Sequence, residues 1–507
     1  MRPVLVWNNE VKFDRHRQAT APRPSSWQLW QSPPPPSVKY GPASGARARE
    51  AARSLPHLST VMDDYELELI ATNNPALTAP TAQHAPIHRQ TQNGKSKAAN
   101  SKIEAPSVTT ASPSLSKYDV GWRRIVRNFS PSWFSVTMGT GIVSLLLAAI
   151  PFQVYWLYWL AVAFLALNTV LFTCAFAISL VRYTVYPEIW SVMLDDSPNS
   201  LFLGTVPMGF ATLISAWCTL CIPYWGPWAV TFAWVCWIID AVVAVTITIS
   251  LPVLLISASH REALDRITAA QLLPIGASIV AAATGARVAE HLPDPEQALG
   301  TLITSYILWG MATPLAMTVL VMYYTRLALH KLPPREIVVS SFLPLSPLGM
   351  GSYSIIHLGR MCRKVFPQTQ FFSGMPVAGD IFFIMGVFIA LIMWAFGLTW
   401  LCFALASIYK SRPFPFNMGW WGFTFPLGVM ALSTLEFGKI FPSLFFRVLG
   451  TIFAVAVILL WFVVLAGTTK GAWNGRLFNA PCLKNLPKRG DGVARDVAEK
   501  EKGLPQT

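Results

Sequence analysis

Ten long apolar stretches between residues 135 and 469 limit what this chain can fold into. A helix needs about 20 apolar residues to cross the hydrocarbon core of a bilayer. With 53% apolar and 13% charged residues and a mean hydropathy of +0.44, the chain is too apolar for a soluble domain of its length. The sequence therefore predicts an all-α polytopic membrane protein with ten transmembrane helices, near residues 135–150, 155–181, 201–222, 228–257, 268–286, 300–329, 341–357, 379–407, 419–437 and 446–469.

The two ends of the chain differ from this apolar middle. Residues 1–117 are rich in Pro, Ala, Ser and Gln and cannot bury enough surface to fold. We expect a disordered cytosolic N-terminal tail over 1–117, a ten-helix transmembrane domain over 118–470 and a disordered cytosolic C-terminal tail over 471–507. No stretch near Met1 resembles a cleavable signal peptide. Either Met1 or Met62 could be the natural start.

The distribution of Lys and Arg predicts the orientation of the spans. An even number of spans puts both termini on one side, and the positive-inside rule favours the cytosol for that side. Eleven basic residues then lie inside, namely Arg123, Arg124, Arg127, Arg182, Arg261, Arg266, Arg326, Lys331, Arg335, Lys410 and Arg412. Six lie outside, namely Arg287, Arg360, Arg363, Lys364, Lys439 and Arg447.

Other sequence signals argue against several functional classes. The net charge of +14 is concentrated outside the apolar segments, which is typical of a topology signal or a lipid contact, and no nucleic-acid motif accompanies it. Cys218 and Cys221 make a single CxxC at the end of an apolar run, so we interpret the thiols as buried and inert. We expect no metal, no cofactor and no enzymatic activity, because the chain lacks a Walker loop, a dinucleotide motif and HExxH.

A motif of proline, an apolar residue and glycine recurs in the odd-numbered stretches. It appears as TVPMGFA, LLPIGAS, LSPLGMG and TFPLGVM, and VTMGTG is a degenerate first copy. The glycines are 70, 67, 73 and 79 residues apart, which indicates an internal repeat of two helices. Broken helix at membrane depth is tolerated only inside protein or along a watery cavity. The repeat therefore predicts an inner layer of odd helices around a central pore, with the even helices facing lipid.

Packing of Gly and Pro in ordinary spans is the alternative interpretation of this repeat. If the pore exists, its lining and kink residues are Gly139, Thr140, Thr205, Pro207, Gly209, Pro274, Gly276, Pro347, Gly349, Pro426 and Gly428. Hydroxyls at Thr137, Thr140, Thr205, Ser278 and Ser352 would replace water around a passing anion.

Basic residues follow three of the repeat glycines at the same distance. Eleven residues beyond the glycine stand Arg287, Arg360 and Lys439, and eleven helical residues span roughly 16 Å. We predict that these cations ring the outer mouth and favour anionic cargo. Snorkelling of basic residues at membrane ends is the alternative. Glu290, His291, His357 and Glu436 lie nearby in sequence and are expected to pair with the cations rather than touch cargo.

Asp240 lies within the fourth apolar stretch, in WIIDAVVAV. An ionisable residue inside a membrane is expensive and is a functional candidate by default. Asp240 therefore has two interpretations, a proton relay or a structural hydrogen bond to a neighbouring helix.

Three segments carry a resemblance to a known family. NFSPSWFSVTMGTGIVSLLL, SLFLGTVPMGFATLI and WWGFTFPLGVMALSTL resemble the fungal sulfite efflux pumps of the tellurite-resistance and dicarboxylate transporter family. That family includes fungal malate permeases and is related to the plant slow anion channels. The resemblance covers residues 118–470 and implies ten helices in five hairpins around a central pore. It also implies a plasma-membrane location, sulfite as cargo and a homotrimer, because related branches form trimers.

The resemblance also implies that Phe425 occludes the pore. Phe425 stands three residues before Gly428, on nearly the same helical face, and a kink at Pro426 could aim its ring across the lumen. An ordinary packed aromatic is the alternative. The hypotheses for the whole chain are a sulfite exporter, a malate or dicarboxylate permease, a membrane-embedded enzyme and a regulatory membrane protein that signals through its long N-terminal tail.

Overall fold

Long α helices make up most of the chain that the structure describes. The structure is a computed structural model, and it describes residues 121–483 except Gln153, residues 258–266 and Pro481. Within these residues the long helices are α1 (Phe134–Ala149), α2 (Tyr155–Val185), α3 (Thr205–Leu220), α4 (Pro227–Ser257), α5 (Leu272–Ala289), α6 (Pro295–His330), α7 (Leu345–Thr369), α8 (Ala378–Lys410), α9 (Thr424–Ile440) and α10 (Leu444–Trp473). Shorter helices span Trp122–Arg127, Glu188–Asp195, Ser197–Ser200 and Ile222–Trp225.

Eight of the described helical segments are long and apolar enough to cross a membrane. They contain α1 to α6, α8 and α10, so the chain is a polytopic helical membrane protein. The other two long helices have clear reasons to fall outside this set. Helix α9 is 17 residues long, and α7 includes polar residues such as His357 and Arg360 among its glycines and serines.

The odd and even helices differ in length and in burial. The odd helices have 16 to 25 residues, whereas the even helices have 30 to 36. We compare the most apolar window of each span. In the span Ala269–Ala289, which contains α5, 94% of the residues in this window are buried, whereas in α4 the buried share is 28%. Odd helices therefore lie inside the bundle, and even helices keep one apolar face exposed.

The odd helices contact one another in a closed order. Helix α1 packs on α3, α3 on α5, α5 on α7 and α7 on α9, and α9 returns to α1. Each even helix also packs on the odd helix that precedes it in the chain. This ring of five inner helices is the scaffold that positions the candidate functional residues.

The predicted tails lie largely outside the described residues. Helix α10 continues to Trp473, and Ala480 and Cys482 are buried although they fall within the predicted C-terminal tail. The boundaries at residues 117 and 470 stay predictions, as do the cytosolic positions of both termini.

Candidate functional site

Each inner helix begins with a 3₁₀ turn, and these turns form a second closed ring. The turns are Pro131–Trp133, Leu201–Gly204, Ala269–Gln271, Val338–Phe342 and Met418–Gly422. Each contacts the next, and the last contacts the first. The N-terminal ends of all five inner helices are therefore gathered at one end of the bundle.

The repeat prolines explain these helix starts and correct the prediction of kinks. Pro207, Pro274, Pro347 and Pro426 are each the third residue of an inner helix. A proline in the first turn breaks no intrahelical hydrogen bond, because the N–H groups there lack an intrahelical acceptor. The inner helices are thus started, rather than bent, at the repeat motif.

The repeat glycines allow close approach between neighbouring inner helices. A Cβ on Gly349 would stand 2.8 Å from the backbone nitrogen of Met430 in α9, and a Cβ on Gly428 would stand 2.5 Å from Ile142 in α1. Gly139 lies against Trp421, and Gly209 lies against Thr137. Gly276 is less crowded, with the Met208 sulfur 3.5 Å away. These contacts support the packing interpretation of the glycines.

The predicted lining hydroxyls are buried and already hydrogen-bonded. Thr140 accepts a bond from Trp461 in α10 at 3.1 Å, and Ser278 shares one with Thr248 in α4 at 2.8 Å. Ser352 donates to the Ala390 carbonyl in α8 at 2.9 Å. The remaining two, Thr137 and Thr205, donate to backbone carbonyls. Thr140, Ser278 and Ser352 therefore tie helices together, and all five hydroxyls already have a partner instead of standing free for an anion.

Tryptophans on the outer helices form ties that the sequence analysis missed. Four indole N–H groups donate from an even helix to the next odd helix, in the pairs Trp237 to the Ala281 carbonyl at 2.9 Å, Trp309 to the Gly351 carbonyl at 3.0 Å, Trp394 to Thr434 at 2.9 Å and Trp461 to Thr140 at 3.1 Å. We call these four bonds the tryptophan ties. The signal available in the sequence was the presence of tryptophan in each of these four even stretches, two of which, 228–257 and 379–407, contain more than one.

Helix α2 carries a buried polar residue, Asn168, beside α1. This side chain is fully buried, and neither of its polar atoms has a hydrogen-bond partner among the described residues. Its amide nitrogen lies 2.7 Å from where a Cβ on Gly141 would stand. Helix α2 therefore lacks a tryptophan tie. It is joined to the inner ring by the Tyr158 hydroxyl, which donates to the Leu220 carbonyl of α3 at 3.4 Å, and by the Ser144 hydroxyl of α1, which donates to the Ala161 carbonyl at 2.8 Å.

Phe425 is the second residue of α9 and lies at the ring of 3₁₀ turns. Only 1% of the residue is exposed. Every residue of α5 from Leu272 to Ala286 is also buried. A pore open to water would expose a stripe along the inner helices, so the bundle is closed in this conformation.

Two of the predicted mouth cations share one buried carboxylate at the other end of the inner helices. The Glu436 side chain is 5% exposed and lies 2.9 Å from Arg360 and 2.6 Å from Lys439. The His357 ring approaches the same carboxylate at 3.6 Å. Glu436 on α9 thereby joins its own helix to α7, and the expectation that it pairs with the cations is confirmed.

The third cation, Arg287, has its own partners at the end of α5. It pairs with Glu290 at 2.9 Å and donates to Thr219 of α3 at 2.9 Å. Lys364 donates to the Glu290 carbonyl at 2.7 Å. Burial lowers the pKa of His291, which follows α5, so this imidazole adds no positive charge near neutral pH. We call Arg287, Glu290, His357, Arg360, Glu436 and Lys439 the charged cluster.

Asp240 lies on the buried face of α4. It is 2% exposed, and neither carboxylate oxygen has a hydrogen-bond partner among the described residues. The interpretation as a structural hydrogen bond therefore finds no partner in that part of the chain. An unpaired carboxylate is stable in such surroundings mainly in its neutral form.

His, Cys, Asp and Glu side chains are scattered over the described part of the chain. No group of three or more His, Cys, Asp or Glu side chains there is placed to hold a metal ion. Cys218 is fully buried and unbridged. Among the dispersed histidines of the apolar part of the chain, His260 lies outside the described residues.

An apolar helical bundle with a closed inner ring, helix N-termini at one end and a charged cluster at the other defines a membrane transport protein. Comparison with known proteins agrees. The model of the voltage-dependent anion channel family matches residues 128–469, and the chain belongs to this family.

Curated relatives narrow the comparison. The sulfite efflux pump SSU1 of Arthroderma otae is 47% identical over 353 residues, which is 70% of this chain and 93% of the pump. The Candida albicans sulfite efflux pump SSU1 is 31% identical over 66% of this chain and 72% of its own length. The malic acid transport protein of Schizosaccharomyces pombe is 24% identical over 67% of this chain and 77% of its own length. These matches indicate a transporter rather than an enzyme.

Proposed function

We propose that this protein exports sulfite or bisulfite across the plasma membrane. The observation that carries the proposal is the 47% identity to a sulfite efflux pump over 93% of that pump's length. The matched family region, 128–469, spans the inner ring and the charged cluster.

In this proposal ten helices cross the bilayer as five hairpins, with both termini in the cytosol. The closed contacts among α1, α3, α5, α7 and α9 support a pathway along their common axis. The resemblance to trimeric branches further supports a homotrimer, which crosslinking in native membranes would test.

The two ends of the inner ring suit an anion. Helix macrodipoles place partial positive charge at N-termini, so the ring of 3₁₀ turns would attract anions from the cytosol. Arg287, Arg360 and Lys439 would attract them at the outer mouth, with Glu290 and Glu436 moderating that attraction. Binding must stay weak for an anion to leave. Phe425 closes the pathway in the resting conformation.

Asp240 is the residue we assign to a proton relay, if export is proton-coupled. Its buried carboxylate without a described partner supports a group that is neutral at rest and changes protonation during transport.

A malate or dicarboxylate permease is the second candidate. The match to the malic acid transport protein of Schizosaccharomyces pombe supports it, although at 24% identity. The two candidates share the same architecture and differ in cargo.

Flux from proteoliposomes separates the two candidates. Purified protein is reconstituted, and efflux of sulfite and of malate is measured under an imposed voltage and, separately, under a pH gradient. Faster sulfite flux under voltage alone supports the exporter. Malate flux that requires the pH gradient would overturn it in favour of the permease.

A further inference from the structure

Tyr353 is a partly exposed residue within a buried part of the inner helix α7. The other residues from 345 to 359 are all buried. Gly351, two positions earlier, faces Met393 of α8 and Trp309 of α6, which are outer helices. Two helical residues turn through about 200°. The Tyr353 side chain therefore points away from the outer layer and toward the axis of the inner ring.

Charged groups on both neighbouring inner helices face Tyr353. Helix α7 lies between α5 and α9 in the ring, and the Tyr353 hydroxyl interacts electrostatically with Arg287 of α5 and with Glu436 of α9. Its ring packs on His357, with centroids 4.3 Å apart. A side chain that reaches charges on both neighbours lies on the axial side of its own helix.

Partial exposure continues from Tyr353 to the charged end of the axis. The Arg287 side chain is 18% exposed and the Arg360 side chain 36%. Arg360 stands seven residues beyond Tyr353 and so lies on the same face of α7. We call the space bounded by Tyr353, Arg287 and Arg360 the axial recess. Since α7 is buried from residue 345 to residue 352, the recess ends at Tyr353.

The internal repeat makes the hydroxyl of Tyr353 exceptional. Tyr353 is the fourth residue beyond the repeat glycine of its copy. Aliphatic residues hold this position in the other four copies, namely Val143, Leu213, Val280 and Leu432. Because aliphatic side chains fill the equivalent places, packing alone does not require a hydroxyl at the end of the recess.

Donors around the axial recess exceed the acceptors that the chain supplies. A guanidinium has five N–H donors. Arg287 donates to Glu290 and Thr219, and Arg360 donates to Glu436. The remaining donors of both side chains and the Tyr353 hydroxyl have no bond within the described part of the chain. The carboxylates thus hold the two guanidinium groups in place without using all of their donors.

A small oxyanion matches this set of donors. Guanidinium groups bind oxyanions through directed, charge-assisted hydrogen bonds, and a phenol adds one neutral donor. The cluster holds three cations, Arg287, Arg360 and Lys439, against the carboxylates of Glu290 and Glu436, which disfavours a cationic ligand. A neutral apolar molecule would leave the donors unpaired, which is costly.

We propose that Tyr353, Arg287 and Arg360 form a binding site for a small oxyanion on the transport pathway. The two guanidinium groups attract the anion, and the Tyr353 hydroxyl donates one hydrogen bond to it at the end of the recess. The assignment rests on the proposed function, so the anion is sulfite or bisulfite.

Equilibrium binding of radiolabelled sulfite to purified full-length protein in detergent tests the site. Tyr353→Phe keeps the ring and removes the donor, so sulfite affinity should fall about tenfold. Tyr306→Phe is the matched control, because Tyr306 lies on the outer helix α6 and its hydroxyl accepts a bond from Cys362 at 3.4 Å. Sulfite affinity should not change in this control. Equal affinity of Tyr353→Phe and the natural protein, or an equal loss in Tyr306→Phe, would overturn the site.

The salt dependence of binding tests the separate role of the hydroxyl. Tyr353→Phe leaves every charge in place, so the decrease of affinity with added salt should match that of the natural protein. Arg287→Gln removes one cation and should both weaken binding and flatten the salt dependence. If Tyr353→Phe flattened it in the same way, the hydroxyl would act by placing the guanidinium, and its assignment as an anion donor would be overturned.

Malate competition and flux separate this site from the proposed function. If the natural protein binds malate but not sulfite, and Tyr353→Phe weakens malate binding, the oxyanion site stands and sulfite export is overturned. Failure of folded protein to bind either anion would overturn the site. In proteoliposomes, external sulfite should inhibit export by Tyr353→Phe about tenfold more weakly than export by the natural protein. An unchanged inhibitory constant, together with weakened binding, would place the site off the pathway and overturn that part of the proposal.

Discussion

At the scale of single residues, Phe425 carries the sharpest expectation. It is fully buried near the start of α9 in a closed bundle. Phe425→Ala should raise sulfite flux severalfold in proteoliposomes, because the ring no longer fills the pathway.

Phe437→Ala is the control for this experiment. Phe437 is equally buried near the other end of the same helix and packs on Trp394. It should lower thermal stability without raising flux, because removing a buried Phe side chain costs about 3–5 kcal/mol. If both variants raise flux alike, general loosening of the bundle explains the effect, and Phe425 is not the gate.

Asp240 gives a second expectation at this scale. Asp240→Asn keeps the shape of the side chain but cannot exchange a proton. If Asp240 relays protons, the variant should lose any stimulation of flux by a pH gradient and keep flux driven by voltage. An unaltered response to the pH gradient in folded Asp240→Asn protein would remove the residue from the mechanism.

At the scale of elements, the charged cluster links α7 to α9 through Glu436. Glu436→Gln leaves Arg360 and Lys439 without their shared carboxylate and removes one negative charge, so the net charge of the charged cluster rises by one. External sulfite should then inhibit export at lower concentrations, measured as a decrease in the inhibitory constant.

Glu290→Gln is the matched change for Glu436→Gln. It also removes one negative charge, but the Glu290 side chain is 37% exposed, so solvent and salt screen that charge more. A smaller effect is expected. Equal inhibition of both variants and the natural protein would show that the charged cluster does not act on the cargo.

The tryptophan ties act between elements. Trp461→Phe removes the N–H that bonds Thr140 and keeps most of the ring, so it should cost about 1 kcal/mol of stability. Thermal unfolding in detergent measures the change. Trp473→Phe, at a residue that is 91% exposed, should have no comparable effect. A similar loss of stability in Trp473→Phe would show that the hydrogen bond from Trp461 to Thr140 does not stabilise the bundle.

At the scale of the whole molecule, deleting residues 1–117 should leave sulfite flux intact. The family match begins at residue 128. The alignment with the Arthroderma pump covers 93% of the pump but only 70% of this chain. Reconstituted flux per protein molecule measures the outcome. A large loss of flux in correctly inserted protein would favour the alternative of a protein that works through its tail.

Sequence reasoning succeeded where a property follows from the chain locally. The apolar stretches located the helices, and the position of Glu436 near the end of an odd stretch led to the expectation that it pairs with the cations. It fell short where a property depends on helix rotation or on where a helix begins. Pro426 could be read as a kink only because the 3₁₀ turn before α9 was not visible, and the direction of the Ser352 hydroxyl depends on how α7 is turned toward α8.

The C-terminal end of α7 is a second place where the sequence did not predict the helix boundary. The apolar stretch stops near His357, but the helix continues to Thr369. Hydropathy reports where lipid can cover a segment, whereas backbone hydrogen bonding continues through Arg360 and Arg363 because both residues are good helix formers.

Helix α2, which carries Asn168, is bonded to the inner ring differently from the other four outer helices. The tryptophan ties join four outer helices to the inner ring, so a displacement of any of these four helices is transmitted to the inner helices. Among the described residues α2 carries no tryptophan tie. Its bonds to the inner ring are the Tyr158 hydroxyl donating to the Leu220 carbonyl of α3 at 3.4 Å and the Ser144 hydroxyl of α1 donating to the Ala161 carbonyl of α2 at 2.8 Å, whereas the buried Asn168 side chain makes none. We expect the bundle to loosen first around Asn168 when the proposed pathway opens, because that buried side chain holds no neighbour by a hydrogen bond among the described residues.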